Sequence, residues 1–290
     1  VIISSLLSIY SSKNGKSNVA TNDTVSIAVI PFRNNTGNDE HKHFGLGFAN
    51  AVRTELSSSK QFEFISALEA TTKYWNQFVP PSQIADELGV HFLLTGMYET
   101  ADEQIRVSVE LVDATTGEGV WNFVFNDHFD DIFDIQSNIA QEVLNQFNVK
   151  ANKSNETNQT SNIDAYSHYL KGLDFIQNFE TEKQWSAFNQ FSEAVRLDSS
   201  YEDAWIGMIE AKSQVAFNSR QINVEFSLSI ADEVSELVNK FDIRFPDNWK
   251  SNLVHGVYHY HALRELQNGL KYFEKALEYD EDNFDANSFL

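Results

Sequence analysis

The stretch AVIPFRNNTGNDEHKHFGLGFANAV occupies residues 28–52. It passes from an apolar, strand-like segment through two glycines, Gly45 and Gly47, into a helical pattern. Strand, glycines and helix follow one another in that order in a dinucleotide-binding turn. Such a turn needs G-x-G-x-x-G directly after the strand, so that the helix amino terminus meets the pyrophosphate. Here Asn50 stands at the third glycine position, and a polar loop separates Phe32 from Gly45. Phe44, Phe48, Val52 and Leu56 recur at every fourth position, which places both glycines inside the helix register rather than ahead of it. The glycines are therefore read as permitting close packing of the first helical turn, and no nucleotide cofactor is expected.

The neighbouring residues extend this to a mixed α/β domain. VSIAVIPF (25–32) is mostly apolar and reads as a central strand, with Pro31 near its end where a missing N–H is tolerated. RNNTGNDEHK reads as a loop and FEFIS (62–66) as a second strand. PPSQIADELG is a short helix with proline at its entry and Gly89 at its exit. HFLLTGMYET and IRVSVELVDATTG alternate with a period of two, and Ile105, Val107, Val109 and Leu111 share one face. After the turn ATTGEG, VWNFVFND is a further strand with Trp121, Phe123 and Phe125 on one side. DDIFDIQSNIAQEVLNQF is a helix with Ile132, Ile135, Ile139, Val143 and Leu144 at helical spacing. The acid pair Asp130 and Asp131 sits at its start, where the helix dipole favours carboxylates.

NVKANKSNETNQTSN (148–162) breaks the pattern as a polar linker, and the chain beyond it is almost wholly helical. That second part repeats. AFNQFSEAVRLDSSYEDA (187–204) aligns with GLKYFEKALEYDEDNFDA (269–286) at a constant offset, matching Phe191 with Phe273, Ala194 with Ala276 and Ala204 with Ala286. A small residue, an aromatic four on and an alanine three further let one helix lie close to its neighbour.

These residues carry two family resemblances. The blocks IAVIPFRNNTGNDEHKHFGLGFANAVRTELSS, IADELGVHFLLTGMYETADEQIRVSVELVDATTGEGVWN and FDDIFDIQSNIAQEVL together resemble the TolB-like amino-terminal domain, also seen in flagellar FlgO proteins. In that family's pattern Gly47 opens the first helix, Gly96 follows the third strand, and Asp113, Thr116, Gly117 and Trp121 mark a hairpin. The acidic residues often found after the first-helix glycine are replaced here by Phe48, Ala49 and Asn50. The helical half resembles the tetratricopeptide repeat. Its first unit carries Gly172, Phe175, Ala187, Phe191 and Ala194, with Ser199 where the family prefers proline. A weaker second unit runs from near Trp205 to Pro246, with Ala231 in its second helix. A third starts near Trp249 and carries Gly256, Gly269, Phe273 and Ala276. The expected architecture is an α/β domain with a mixed sheet over 25–147, a linker over 148–163, and an α-solenoid of helical hairpins over 164–290. Both resemblances imply binding without catalysis, often beyond a membrane helix in bacterial signalling proteins.

Composition narrows the function. Forty-two acidic residues against 21 basic ones give a net charge of −21, which repels phosphate backbones, so no nucleic-acid partner is expected. The chain has no cysteine, which excludes disulfides, thiolate nucleophiles and cysteine-ligated zinc. VIISSLLSIY (1–10) is apolar but too short to span a bilayer by itself. With the polar residues 11–24 it reads as the outer end of a membrane anchor, which implies the extracytoplasmic, periplasmic side of a bacterial inner membrane; the cytoplasm is the alternative. Lys13 and Lys16 weigh mildly against outward orientation.

No enzyme is expected. There is no G-x-S-x-G elbow, and YDEDNFD (279–285) lacks the glycine and bidentate glutamate of a calcium loop. His255 and His259 have the i,i+4 spacing of a zinc pair and His261 is close by, but no H-E-x-x-H is present. They are read as packing or partner-contact residues, with no metal. His41 and His43 are read as part of a solvated loop. The expected partner is a protein or peptide held on the first helices of the repeats, with Tyr169, Phe175, Trp205, Tyr258, His259 and Tyr260 as candidate contacts. The alternative is the regulatory region of a class III adenylate or guanylate cyclase, a kinase or a winged-helix transcription regulator.

Overall fold

The structure, a computed structural model, describes residues 25–37, 41–57, 62–64, 73–74, 79–147, 149, 160–246 and 248–279. The apolar stretch 1–10, residues 148 and 150–159 of the Asn-rich linker and most of YDEDNFD lie outside the described residues. Contacts divide the chain into two compact units, Val1–Asn155 and Glu156–Leu290.

The first unit is built on a mixed sheet. Its strands are β1 (Val25–Val29), β2 (Arg33–Asn34), β3 (Phe62–Phe64), β4 (Phe92–Ala101), β5 (Gln104–Asp113) and β6 (Gly119–His128). The order is β3-β1-β4-β5-β6, with β2 paired to β4 off that path. β1 runs parallel to β3 and β4, whereas β4, β5 and β6 form an antiparallel meander. The helices are α1 (Phe44–Ser57), α2 (Pro81–Leu88) and α3 (Ile132–Gln146), the last preceded by a 3-10 turn over Phe129–Asp131. β2 is a departure from the sequence reading, which has only a loop there. Two residues are too few for periodicity to register.

The predicted stripes are the core. Phe44, Phe48, Val52 and Leu56 of α1 are buried, as are Ile132, Ile135, Ile139, Val143 and Leu144 of α3, and the two helices pack together. Ile105, Val107, Val109 and Leu111 of β5 are buried, while Gln104, Arg106 and Glu110 between them are exposed. α2 closes a second cluster with Ala28, Ile30, Leu93 and Val112. Gly89 ends α2 in the left-handed region, φ 66°, where glycine bears no Cβ penalty.

Gly45 sits where α1 meets the end of the first strand. The Phe32 N–H donates to the Gly45 carbonyl at 3.0 Å. A Cβ on Gly45 would lie 1.9 Å from the Phe32 carbonyl oxygen. The glycine is therefore a packing device, as its place in the helix register implies. The β5–β6 turn is held by Asp113, whose Oδ1 accepts the amides of Thr115 and Thr116, and Gly117 takes φ 71° there.

The second unit is helical: α4 (Ile163–Ile176), α5 (Thr181–Leu197), α6 (Glu202–Ser219), α7 (Val224–Arg244), α8 (Lys250–Val257) and α9 (Leu266–Leu277). Asn162 and Asn223 cap α4 and α7 by accepting the amides of Ala165 and Phe226, each at 3.0 Å. Phe191 of α5 is fully buried between two glycines. A Cβ on Gly172 would come within 2.5 Å of its ring, and one on Gly207 within 2.8 Å. Phe273 of α9 repeats the arrangement on Gly256, with a would-be Cβ at 2.4 Å. Lys250 reaches Asp203 at 2.8 Å and Glu202 at 3.1 Å, tying α8 to α6. Burial alone would lower its pKa, but the two carboxylates outweigh burial and raise it.

Candidate functional site

The His-rich segment does not continue as α-helix. After α8 the chain takes a π turn over Tyr258–Ala262, with the Leu263 N–H donating to the Tyr258 carbonyl at 3.1 Å. Such turns carry one residue more than an α turn and recur at functional sites. It places His255 and His259 beside Tyr272 of α9. The ring centroid of Tyr272 lies 5.2 Å from that of His255 and 5.1 Å from that of His259, all nearly coplanar in orientation.

Carboxylates fix both imidazoles. His255 Nε2 is 2.9 Å from Asp242, which also takes the Ser251 hydroxyl. His259 Nδ1 is 2.9 Å from Glu265. Hydrogen bonds from Asn268 and His259 hold the Glu265 carboxyl below the usual range. Next to this stack, His259, Asn268, Lys271, Tyr272, Glu274, Lys275 and Glu278 line an open recess of about 490 Å³. Lys275 lies 5.3 Å from the Tyr272 ring centre. A flat aromatic surface with charges of both signs suits stacking and ion pairing with an extended segment. Among the described residues no group of three or more His, Asp or Glu is placed to hold a metal ion.

The sequence candidates divide. Tyr169 packs on Phe191 and Tyr201, with centroids at 5.7 and 4.9 Å. Trp205 packs against two core clusters and donates its indole N–H to the Ser199 carbonyl. Tyr258 leans on the central cluster and Tyr260 on Phe273 and Gly269. Phe175 is half-buried, with Lys183 over its ring. Of the six, His259 alone lines the recess. Tyr272 was missed. The repeat pattern makes its neighbour Phe273 core, and that alone turns Tyr272 to the flank of α9.

Three other constellations are structural. His43 is buried rather than part of a solvated loop, and His41 stacks on Phe129 at 4.9 Å. α1 and the 3-10 turn enclose a segment whose polarity reads as exposed. At the start of α3, burial and the neighbouring carboxylates of Asp127 and Asp134 raise the Asp131 pKa. Ser26 Oγ lies 2.7 Å from His91 Nδ1, a nucleophile-to-base distance. The same nitrogen also takes the Ser26 amide, and the His91 amide returns to Ser26 Oγ, so the pair clamps β1 to the entry of β4.

His261 points inward from the π turn. It sits edge-on to Phe217 at 5.5 Å, with Gln214 3.1 Å from Nε2. Burial lowers its pKa to about 4. The unfolded chain takes up this proton near pH 6.5, the folded one only near 4. Stability from this group is therefore complete above about pH 6.5 and declines as pH falls toward 4, by up to about 1.4 kcal/mol per pH unit. Denaturant titrations across that window should show the slope in wild type and a flatter one in His261→Phe. Parallel curves would mean that the fold does not shift the titration of His261.

Comparison with known proteins bears on both units. A family model described as the second domain of HilA/YgeH-like transcriptional regulators matches residues 22–146. A Rhizobium meliloti (strain 1021) protein named "Putative adenylate cyclase 3" is 26% identical over 177 residues, covering 60% of this chain. The chain spans 30% of that relative's length. Among solved structures, TolB from Acinetobacter baumannii is 18% identical over 43% of this chain and 28% of that one, with a TM-score of 0.32. The LpoB C-terminal domain from Escherichia coli is 17% identical over 41% and 93%, with a TM-score of 0.30. At such scores the two structural likenesses carry no argument. The chain is a mixed α/β unit, similar in sequence to the second domain of a family of transcriptional regulators, followed by a helical unit.

Proposed function

We propose that this chain is a non-enzymatic protein-interaction and sensing region of a bacterial signalling protein, a TolB-like domain followed by tetratricopeptide-like repeats. The observation that carries the reading is the interlock of Phe191 with Gly172 and Gly207, repeated by Phe273 on Gly256. A repeated small-on-aromatic contact supports a regular stack of hairpins, whose faces bind extended segments. The His255, His259 and Tyr272 stack is the binding surface, and the acidic excess favours a basic or neutral partner. No bound nucleotide or metal is part of this reading. An envelope location belongs to the proposal.

The sequence similarities favour a companion reading, compatible with the first: the region regulates an effector elsewhere in a longer protein. The cyclase name of one relative supports a nucleotide cyclase. The regulator family matched over 22–146 supports a transcription regulator. The interaction reading is tested by panning a displayed library of linear peptides against the whole chain and against Tyr272→Ala. Enrichment of a basic or neutral consensus that is lost in the variant and weakened by salt is expected. Enrichment indifferent to both Tyr272 and salt would move binding off this surface.

A further inference from the structure

The first unit ends, among its described strands, on a long open edge. β6 is ten residues, Gly119–His128, paired to β5 on one side. Such edges are usually blunted by proline, lysine or a bulge turned outward. β6, with the sequence GVWNFVFNDH, has neither proline nor lysine, and its bulge is confined to its first residues, opposite Leu111 and Val112. Phe123 is 44% exposed and Val124 40%.

The hydrogen-bond phase shows which residues are available. Gln104 faces His128, and the Phe129 N–H donates to the Glu103 carbonyl at 2.8 Å. Antiparallel ladders alternate, so Trp121, Phe123, Phe125 and Asp127 turn their amides and carbonyls toward β5. Asn122, Val124 and Asn126 turn theirs to the open edge, whereas a bulge opposite Leu111 and Val112 breaks the alternation at Val120.

We infer that β6 is a dimerisation edge that pairs antiparallel with β6 of a second copy, centred on Phe123. A two-fold axis perpendicular to the sheet keeps each face on its own side, so residues of like parity meet. Centred on Phe123, the pairing sets Asn122 opposite Val124, residues whose backbone groups point outward. Each such pair exchanges two hydrogen bonds. Trp121 then faces Phe125 and Phe123 faces itself. The aromatic row, stacked within one strand at 6.2 and 4.7 Å, becomes a double row across the axis. The charges agree with this register. Over the regular part of the strand, 121–125, no carboxylate is set against another. A centre on Val124 would instead set Trp121 against Asp127. One on Asn122 would set Phe125 against Gly119, leaving the aromatic row half unpaired. The aromatic row, matched to itself in this register, thus selects a second copy of this strand as the occupant.

The chain lacks cysteine, so single substitutions report on the register cleanly. Phe123 meets its own copy at a non-hydrogen-bonded position, where Cα atoms are about 4.5 Å apart, within disulfide reach. Under mild oxidation Phe123→Cys should give a covalent dimer, and Asn122→Cys and Val124→Cys should not. Sedimentation equilibrium of the whole chain should show a reversible dimer. Val124→Pro, which removes an outward N–H that the monomer does not use, should weaken it at least tenfold with an unchanged circular dichroism spectrum. A wild-type chain monomeric up to high micromolar concentration overturns the inference. So does a dimer indifferent to Val124→Pro, or cross-linking through Val124→Cys rather than Phe123→Cys.

Discussion

Replacing Phe191 by alanine is expected to lower the stability of the helical unit by about 3–5 kcal/mol. The ring is wholly buried, and its two flanking glycines have no side chain with which to fill the space it leaves. Gly172 belongs to α4 and Gly207 to α6, so one truncation opens a void facing the helix before and the helix after. In a stack where each hairpin contacts only its neighbours, that loss falls on the coupling between hairpins as well as on α5 itself. Urea unfolding followed by circular dichroism checks the magnitude. The shape of the transition is equally informative, since a broadened or split curve means the hairpins have begun to melt separately. A loss below about 1 kcal/mol would show that the neighbouring helices collapse onto the vacated site.

Gly45→Ala is the second large effect. Overfilling a packed site costs about 1–3 kcal/mol, and more when the obstacle cannot move. At Gly45 the obstacle is the Phe32 carbonyl oxygen, 1.9 Å from the new methyl, and that backbone is fixed. The Phe32 N–H is bonded to Gly45 itself, and its ring stacks on Phe48 at 5.4 Å. Relief requires the first turn of α1 to lift from the sheet, which exposes Phe44 and Phe48 together. The expected cost is above about 3 kcal/mol, with loss of the near-ultraviolet dichroism of the α/β unit. A variant within about 0.5 kcal/mol of wild type would mean that α1 already has room to shift.

These two residues also mark how far the sequence could be read. Gly45 was legible because the Phe44, Phe48, Val52 and Leu56 stripe places it inside a helix; that its obstacle is the Phe32 carbonyl was not, because the contact joins two elements across a loop. Phe191 was legible from its repeat partner Phe273. The helices and long strands follow from apolar spacing, which is a local property. Strand order is not local: nothing in VSIAVIPF states that it lies between β3 and β4. The site was read less well. Tyr258, His259, Tyr260 and His261 are successive aromatic or imidazole residues with similar local character. Which of them faces the recess depends on a π turn that no residue of YHYHA requires.

That π turn has a consequence for the length of the chain. A helix that holds one residue beyond its regular winding can lose one and close as an ordinary α turn, so a deletion here meets little resistance from the backbone. The side chains would register it at once. Each residue removed rotates what lies beyond it by about 100° around the axis. His259 would leave Tyr272, and His261 would swing away from Phe217 toward water. Among related sequences, the number of residues between Gly256 and Gly269 should therefore vary together with the residues at 259, 261 and 272, with the shorter forms free of any need for histidine.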